Sequence, residues 1–415
     1  MTTDLLTVKL EKLTYGGYAL GRVPDPLTGT GGRAVFVPFA LPGETVRIRV
    51  IEQKRGHIRA ELVEVLDPSP ERITPKCIHF GVCGGCHYQH LPYPVQLQVK
   101  TDILRDQLTR IGKIQDPPVQ PMVASLQEWN YRNHIQFHLS RAGELGYIRA
   151  NSLDMFPISE CHLPEVALNK IWPSLEFDPD LGLERVSLRL GMDDEIMLVL
   201  ESDHPEPPEL ELEAALSVVH MIGEDMVVMA GDEAMTISVK DRAFHVSAAS
   251  FFQVNTGMAG EMVQHLLDHL PVSPKTTLLD VYCGVGLFSA FFAGRVGRLI
   301  GVEASASACQ DFAANLDEFD NVELYEAPAE TVLPGLGVSP DIVIVDPPRA
   351  GLDKCVLEAL LAQRPASLVY VSCDPSTLGR DTARLISGGY RLVQVTPFDL
   401  FPQTSSIESI SIFEK

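Results

Sequence analysis

The sequence contains no run of eighteen apolar residues, the length that a helix needs to cross a bilayer. Its first residues, Met-Thr-Thr-Asp-Leu-Leu, lack the basic and then apolar layout of a secretory signal peptide. It also has no internal repeat at the periods of solenoid proteins. These absences predict a cytoplasmic protein with no membrane partner, in which cysteines stay reduced.

A basic excess is also missing, because the formal net charge is −22. Phosphate groups attract cations, so this total argues at first against a nucleic-acid partner. The charge is unevenly distributed, however: residues 1–160 carry a net +2 and residues 161–415 a net −24. Composition therefore permits RNA binding by the first 160 residues without indicating it.

Residues 1–66 are typical of a small β-barrel. Alternating or β-branched segments recur between glycine-rich turns, at Leu6–Leu10, Ala34–Val37, Thr45–Val50 and Ile58–Val63. Short strands at this density favour an OB-like barrel, a common platform for single-stranded nucleic acids. The basic residues that would contact RNA are Lys9, Lys12, Arg22, Arg47, Arg49, Lys54, Arg55 and Arg59. The alternative is a stability domain with ordinary surface charge.

The predicted secondary structure changes near residue 250. Residues 130–250 contain strand patterns, including a hairpin from Val186–Leu190 to Ile196–Leu200. From about residue 255, apolar strands alternate with helical segments, which is the signature of a doubly wound parallel sheet. A chain of 415 residues exceeds one ordinary core. We predict three domains, 1–66, 67–250 and 251–415, with a helix near 95–112 that docks on the last domain.

Four of the eight cysteines have the spacing of metal ligands. Three fall in Cys77-x5-Cys83-Gly-Gly-Cys86, and Cys161 lies downstream. In a reducing compartment, closely spaced cysteines are ligands more often than disulfides. Four thiolates suit zinc or an iron–sulfur cluster, but this spacing is not the paired pattern of zinc ribbons. We expect Cys283, Cys309 and Cys355 to be packing residues.

The first turn of the predicted α/β region indicates a nucleotide cofactor. Asp280-Val-Tyr-Cys-Gly-Val-Gly286 has two glycines but lacks the third glycine of the dinucleotide fingerprint. Glu303 ends the second strand, where a carboxylate can accept both ribose hydroxyls. A nucleoside site without a pyrophosphate grip fits S-adenosylmethionine better than NAD. An exposed helix-capping role is the alternative for Glu303.

Two later strand ends add polar groups to the same edge of the sheet. The fourth strand ends in Asp346-Pro-Pro-Arg349, where amino-methylating enzymes have an aromatic residue in place of arginine. Cys373 follows the next strand, in Ser372-Cys-Asp-Pro375. A packing cysteine is more common within a strand than at its end, so Cys373 is interpreted as a nucleophile.

Together these motifs resemble the RNA 5-methyluridine methyltransferases, in particular the branch with an N-terminal TRAM domain and a [4Fe–4S] cluster. Two further tracts carry the resemblance, Ser250-Phe-Phe-Gln-Val-Asn255 and Phe401-Pro-Gln-Thr-Ser-Ser-Ile-Glu408. The resemblance covers nearly the whole chain. It implies a TRAM barrel, a central iron–sulfur α+β domain and a class I, Rossmann-like methyltransferase domain.

The resemblance also implies a role for each site residue. Cys373 would add to carbon 6 of uracil, and Glu408 would be the general base. Phe251 would stack on the flipped base. Gln253, Tyr282, Glu303 and Asp346 would hold S-adenosylmethionine or border the target base. Cys77, Cys83, Cys86 and Cys161 would ligate a structural [4Fe–4S] cluster.

Two positions depart from the family pattern. Ser406 stands where the family usually has histidine, two residues before the base, which puts the orientation of Glu408 in question. Leu287 replaces a polar residue that contacts the cofactor.

We expect a monomer that acts on 23S ribosomal RNA, with the transfer-RNA T-loop as the alternative. An amino- or ribose-methylating enzyme, or a non-catalytic RNA-binding or redox-sensing protein, are competing hypotheses.

Overall fold

The computed structural model describes residues 5–23, 32–179, 181–209, 211, 216–223 and 225–415. The chain forms two compact units. The first contains Met1–Ile103, Ile148–Asp154 and Phe401–Ser406, and the second contains Leu104–Tyr147, Met155–Leu400 and Ile407–Lys415. The boundaries 67–250 and 251–415 stay a prediction. In the described ranges, no helix is long and apolar enough to span a membrane.

The first unit contains a closed five-stranded barrel, which confirms the predicted barrel. The strands are β1 (Leu5–Thr14), β2 (Tyr18–Val23), β3 (Arg33–Pro38), β4 (Thr45–Gln53) and β5 (His57–Asp67), in the order β1-β2-β3-β5-β4. The sequence analysis did not single out β2, whose buried face carries the small residues Ala19 and Gly21. Gly21 lies where an added Cβ would be 2.9 Å from the Lys9 carbonyl oxygen, so the barrel requires glycine there.

Helix α1 (Tyr93–Arg110) begins in the first unit and ends in the second. The second unit then contains a mixed seven-stranded sheet with the order β12-β11-β10-β9-β6-β7-β8. Its strands are β6 (His134–Leu139), β7 (Leu145–Ile148), β8 (Met155–Pro157), β9 (Leu183–Leu190), β10 (Ile196–Ser202), β11 (Ser217–Ile222) and β12 (Asp225–Ala230). Strands β9 and β10 are antiparallel, which confirms the predicted hairpin. Helix α2 (Val166–Ile171) contributes Leu168 to the core of this sheet.

A two-stranded sheet leads into the last part of the second unit. It consists of β13 (Ala234–Val239) and β14 (Arg242–Ser247), followed by α3 (Thr256–His269). Asn255 caps α3, because its side chain accepts a hydrogen bond from the Met258 amide. The segment between β14 and α3 thus has a fixed end, which bears on the site described below.

A second seven-stranded sheet completes the unit, with the order β17-β16-β15-β18-β19-β21-β20. Its strands are β15 (Thr277–Val281), β16 (Arg298–Glu303), β17 (Val322–Glu326), β18 (Ile342–Val345), β19 (Ser367–Ser372), β20 (Arg391–Phe398) and β21 (Glu408–Glu414). The first five are parallel to one another, while β21 is antiparallel to both β19 and β20. The predicted α/β region and its apolar strands are confirmed.

Helices alternate with these strands. They are α4 (Leu287–Phe292), α5 (Ala306–Asn315), α6 (Ala329–Val332), α7 (Lys354–Gln363) and α8 (Pro375–Ser387). The final turns of α1 lie against α8, where a Cβ added to Gly379 would be 3.2 Å from the Gln107 carbonyl oxygen. Ser376 Oγ also donates to Gln107 Oε1 at 3.5 Å. Helix α8 begins at Pro375, three residues after the end of β19.

Candidate active site

The carboxyl ends of β15, β16, β18 and β19 gather the polar residues singled out in the sequence. Because these strands are parallel, their ends lie at one edge of the sheet, where open α/β sheets bind ligands. Glu303 is the last residue of β16, while Asp346 and Cys373 directly follow β18 and β19. Strand β21 runs the opposite way, so its first residue, Glu408, lies at the same edge.

Cys373 and Glu408 are neighbours at this edge. Ser372 pairs with Ser409 across β19 and β21, and one step outward along each strand leads to Cys373 and Glu408. Burial raises the pKa of the Cys373 thiol to about 11, and the negative charges of Glu408 and Asp346 add to this shift. Arg349 acts in the opposite direction. These effects favour the protonated thiol at neutral pH.

The loop after β15 has a shape that leaves room for a ligand. Tyr282 and Gly284 have positive φ angles of 64° and 54°, and Gly286 has 90°. An added Cβ at Gly284 would meet no atom within 4 Å, whereas one at Gly286 would lie 2.6 Å from Leu316 Cδ1. The open space beside Gly284 is thus a cradle that any larger side chain would fill. Gly286 instead allows close packing beneath the loop.

The Glu303 carboxylate fixes the backbone on both sides of this cradle. Its Oε2 accepts a hydrogen bond from the Gly284 amide at 2.9 Å. Its Oε1 accepts from the amides of Ala304 and Ser305, both at 2.8 Å. Three backbone donors therefore orient Glu303, and a carboxylate retains one further acceptor position for a ligand hydroxyl. The capping and ligand-binding interpretations of Glu303 are both compatible with this geometry.

Two carboxyl groups lie at the centre of the edge. Asp280 on β15 is buried; its Oδ2 accepts from Ser289 Oγ at 2.6 Å, and its Oδ1 has no hydrogen-bond partner among the described residues. Burial raises the pKa of Asp280 to about 6. Burial, followed by the charge of Asp280, raises the pKa of Asp346 to about 7. The sequence analysis gave Asp280 no role, although its place at the start of the glycine motif could have suggested one.

The segment between β14 and α3 presents an aromatic side chain to solvent. Phe251 is 72% exposed, although it lies between the buried residues Ser250 and Phe252. Arg189 Nη1 donates to the Ser250 carbonyl oxygen at 2.9 Å. Asn133 Nδ2 donates to the Gln253 carbonyl oxygen at 3.3 Å. The backbone around Phe251 is therefore held in place while its ring stays free to contact a ligand.

Of the four cysteines with metal-ligand spacing, Cys86 is buried and the other three are half-buried. Cys77, Cys83 and Cys86 belong to the first unit, and Cys161 belongs to the second. The Gly85 amide donates to Cys83 Sγ at 3.3 Å, a contact that suits a thiolate. Among the residues that the structure describes, no group of three or more His, Cys, Asp or Glu side chains is arranged to hold a metal ion. The [4Fe–4S] cluster stays a prediction.

Comparison with known protein families gives two matches. The family described as tRNA (Uracil-5-)-methyltransferase matches residues 217–335 and 338–415. The TRAM domain matches residues 3–63, which contain most of the barrel. The two matches lie in the order expected from the sequence motifs.

Relatives match the chain over nearly its whole length. An uncharacterized RNA methyltransferase of Thermosynechococcus vestitus is 32% identical over 98% of this chain and 97% of its own. Another, from Aquifex aeolicus, is 34% identical over 99% and 98%. Among solved structures, the Pyrococcus abyssi tRNA (uracil-54, C5)-methyltransferase in complex with S-adenosyl-L-homocysteine has a TM-score of 0.73 and 23% identity. That alignment covers 98% of this chain and 100% of the other, and it shows a shared fold.

Proposed function

Because the chain belongs to the tRNA (uracil-5-)-methyltransferase family and carries a TRAM domain, we propose that it methylates carbon 5 of a uridine in RNA. It is an S-adenosylmethionine-dependent RNA methyltransferase. The observation that carries the choice of carbon 5 is the adjacent placement of Cys373 and Glu408 at the end of β19 and the start of β21. Methylation of an amino group or a ribose hydroxyl needs neither a thiol nucleophile nor this second group.

Carbon 5 of uracil is too weak a nucleophile to attack a sulfonium methyl group directly. The Cys373 thiolate forms a bond to carbon 6, and the electrons of the carbon 5–carbon 6 double bond move toward the carbonyl at carbon 4. S-adenosylmethionine, when bound, supplies the methyl group that carbon 5 then takes. Glu408 removes the proton from carbon 5, the double bond re-forms, and Cys373 leaves as a thiolate. Phe251 would stack on the uracil after it leaves its helix.

The residues at the strand ends fit a nucleoside cofactor. The cradle beside Gly284 is open, and the described residues provide no partner for the inward-facing Asp280 Oδ1. Glu303 would accept a hydrogen bond from one ribose hydroxyl with its remaining acceptor position. Tyr282, Gln253 and Asp346 would border the cofactor or the target base. The raised pKa of Asp346 leaves part of this group protonated at neutral pH, so it could donate a hydrogen bond to a ligand.

The proposed substrate is 23S ribosomal RNA, with the T-loop of transfer RNA as the alternative. The Pyrococcus abyssi enzyme with the same fold is named for uracil 54 of tRNA, and this name supports the transfer-RNA alternative. Mapping 5-methyluridine in both RNA classes from a deletion strain distinguishes them. Loss from one class identifies the substrate, and loss from neither contradicts the proposed reaction.

The proposed function of the barrel in the first unit is to bind RNA. The protein is further proposed to be a monomer in the cytoplasm. Several of its arginines form ion pairs with glutamates on the barrel, such as Arg47 with Glu64 at 2.6 Å and Arg49 with Glu61 at 3.0 Å. These arginines are therefore partly neutralised, and RNA must compete with the glutamates for them. Deleting residues 1–66 should raise KM more than it lowers kcat.

The proposed cysteine function is a structural [4Fe–4S] cluster bound by Cys77, Cys83, Cys86 and Cys161. The support is the spacing of the four cysteines, which matches the family pattern, and the backbone amide of Gly85 that donates to Cys83 Sγ. Methyl transfer moves no electron to or from the protein, so no step of the reaction requires the cluster.

The reaction is tested by separating its two halves. Cys373→Ala should form no covalent complex with RNA, because the substitution removes the proposed nucleophile. Glu408→Gln should still add and methylate and then stall as a protein–RNA band on a denaturing gel, because elimination requires a base. A Glu408→Gln enzyme with normal turnover and no trapped band would refute the assignment of the base. A Cys373→Ala enzyme that still forms the band would refute the nucleophile.

A further inference from the structure

One buried carboxylate, that of Asp381, joins three backbone segments at the catalytic edge. Asp381 lies on α8, and its side chain is fully buried. Its Oδ2 accepts a hydrogen bond from the Tyr370 hydroxyl at 3.0 Å and from the Leu352 amide at 2.9 Å. Its Oδ1 accepts from Arg380 Nε at 2.8 Å. A buried carboxylate with this many donors is costly to disturb, because each donor would lose its partner.

Each joined segment leads to a group of the proposed reaction. Tyr370 lies on β19, three residues before Cys373, and α8 begins two residues after Cys373. Leu352 lies in the loop between β18 and α7, which starts with Asp346 and contains Arg349; both Asp346 and Arg349 act electrostatically on the Cys373 thiol. The network therefore ties the loop that carries the charged groups to the strand and helix that carry the nucleophile.

The backbone of the loop is shaped to reach this carboxylate. Gly351 has a φ of 76°, and an added Cβ would lie 2.5 Å from both Asp381 Oδ2 and Arg380 Nη2. Arg380 Nη2 also donates to the Ala350 carbonyl oxygen at 2.8 Å. Three consecutive residues of the loop, Ala350 to Leu352, thus lie against the Asp381–Arg380 pair, and only glycine allows the approach at position 351.

We propose that Asp381 is a positioning residue that sets the distance between Cys373 and the Asp346–Arg349 loop. It does not touch RNA or cofactor; it fixes where the thiol stands relative to the charged groups that surround the uracil. Small displacements of a reacting group slow bond formation strongly, so loss of this anchor should affect addition to carbon 6. The inference rests on the proposed role of Cys373 as nucleophile.

The test measures the rate of covalent adduct formation with 5-fluorouridine-substituted 23S and transfer RNA transcripts at saturating S-adenosylmethionine. Asp381→Asn should slow adduct formation at least tenfold while alkylation of Cys373 by iodoacetamide stays within about threefold of wild type. Gly351→Ala, which pushes a methyl group against the same carboxylate, should give the same pattern. Both rates are compared well below the melting temperature of each variant.

The matched control is Leu385→Ala, a cavity-forming change at a buried position on the same helix. It should lower the melting temperature and leave adduct formation within about threefold. Adduct formation near the wild-type rate in Asp381→Asn, or an equal loss in Leu385→Ala, overturns the positioning role. Cys373→Ala is tested in the same assay. If it abolishes the adduct, Cys373 remains the nucleophile, and a negative result for Asp381→Asn overturns only the positioning role of Asp381. An adduct that survives Cys373→Ala would instead overturn the proposed function.

Discussion

Glu408 lies beside Cys373 because β21 runs antiparallel to β19 and begins where β19 ends. The carboxylate of Glu408 raises the pKa of the Cys373 thiol, after the larger effect of burial. A base in this place opposes the formation of the thiolate that the reaction needs. In the proposed reaction, the same carboxylate would serve after the thiol has bonded to carbon 6, because it would then remove the proton on carbon 5.

The reactivity of Cys373 should therefore increase steeply with pH. With a pKa of about 11, the thiolate fraction rises about tenfold per pH unit between pH 7 and 10. Glu408→Gln removes a negative neighbour, so it should lower this pKa and speed alkylation at pH 8. Mass spectrometry of the iodoacetamide-labelled peptide measures the rate, and the exposed Cys355 is the internal control. Slower alkylation in Glu408→Gln would contradict the proposed proximity.

Substitutions at two glycines of the loop after β15 should have different effects, one on cofactor binding and the other on stability. Gly284→Ala fills open space and places alanine at a φ of 54°, which costs about 1 kcal/mol. It should weaken S-adenosylmethionine binding at least tenfold with a small loss of stability. Gly286→Ala meets Leu316 and Phe312 and should lower the melting temperature more. Calorimetric titration and thermal melts check both variants; equal cofactor affinity in Gly284→Ala and wild type would exclude the cradle as the site.

Asp346 should make the protein less stable as pH rises. Its pKa is about 7 in the folded protein and near 3.8 when unperturbed, so between these values the folded state holds a proton that the unfolded state has lost. The free energy of unfolding falls through this window, by at most about 4 kcal/mol. Asp346→Asn, which mimics the protonated group, should raise the melting temperature at pH 8 and change it little at pH 4. An equal change at both pH values would contradict the shift.

Phe251 should matter for RNA and not for folding. Its ring is 72% exposed, so Phe251→Ala removes little buried surface and should shift the melting temperature by no more than a degree or two. Stacking on a base is worth about 1–3 kcal/mol, which corresponds to about a 5- to 150-fold loss in kcat/KM. Phe251→Tyr should retain most of the activity. Wild-type kcat/KM in Phe251→Ala would show that another residue stacks on the base.

Anaerobically purified protein should contain about four iron atoms per chain. Serine at any one of Cys77, Cys83, Cys86 or Cys161 should lower the iron content and weaken the brown colour. Cys355→Ser, at an exposed position on α7, should leave both unchanged. Metal analysis of the four variants and the control tests whether these cysteines bind iron. Stoichiometric zinc without iron would show that the four cysteines form a zinc site and not an iron–sulfur cluster.

Sequence reasoning reached the elements whose pattern is local. The ends of the apolar strands β16, β18 and β19 were predicted within a residue, because consecutive β-branched residues flanked by turns leave few alternatives. Each strand end carries a chemically distinctive residue, so Glu303, Asp346 and Cys373 could be placed at one edge before the structure was known. Strand β2 was missed because its inward residues are small and do not stand out as an apolar face.

The remaining features depend on contacts between distant segments. Asp381 looks like an ordinary helical acid in the sequence, and only the approach of Tyr370 and Leu352 shows what it holds. Likewise, the three amides that bind Glu303 come from two different turns, which no spacing rule predicts. Such groups are recognised only when the tertiary structure brings their partners together.

Strand β21 is the last strand of its sheet in chain order, yet it lies between β19 and β20. The gap between these two strands must therefore stay open until β21 enters it. The partners of β21 in β19 are about forty residues earlier in the chain, so this pairing joins distant parts of the sequence. Because Glu408 is the first residue of β21, the proposed nucleophile and the proposed base meet only when β21 has paired with β19. The edge formed by β15, β16 and β18 therefore does not by itself bring Cys373 and Glu408 together.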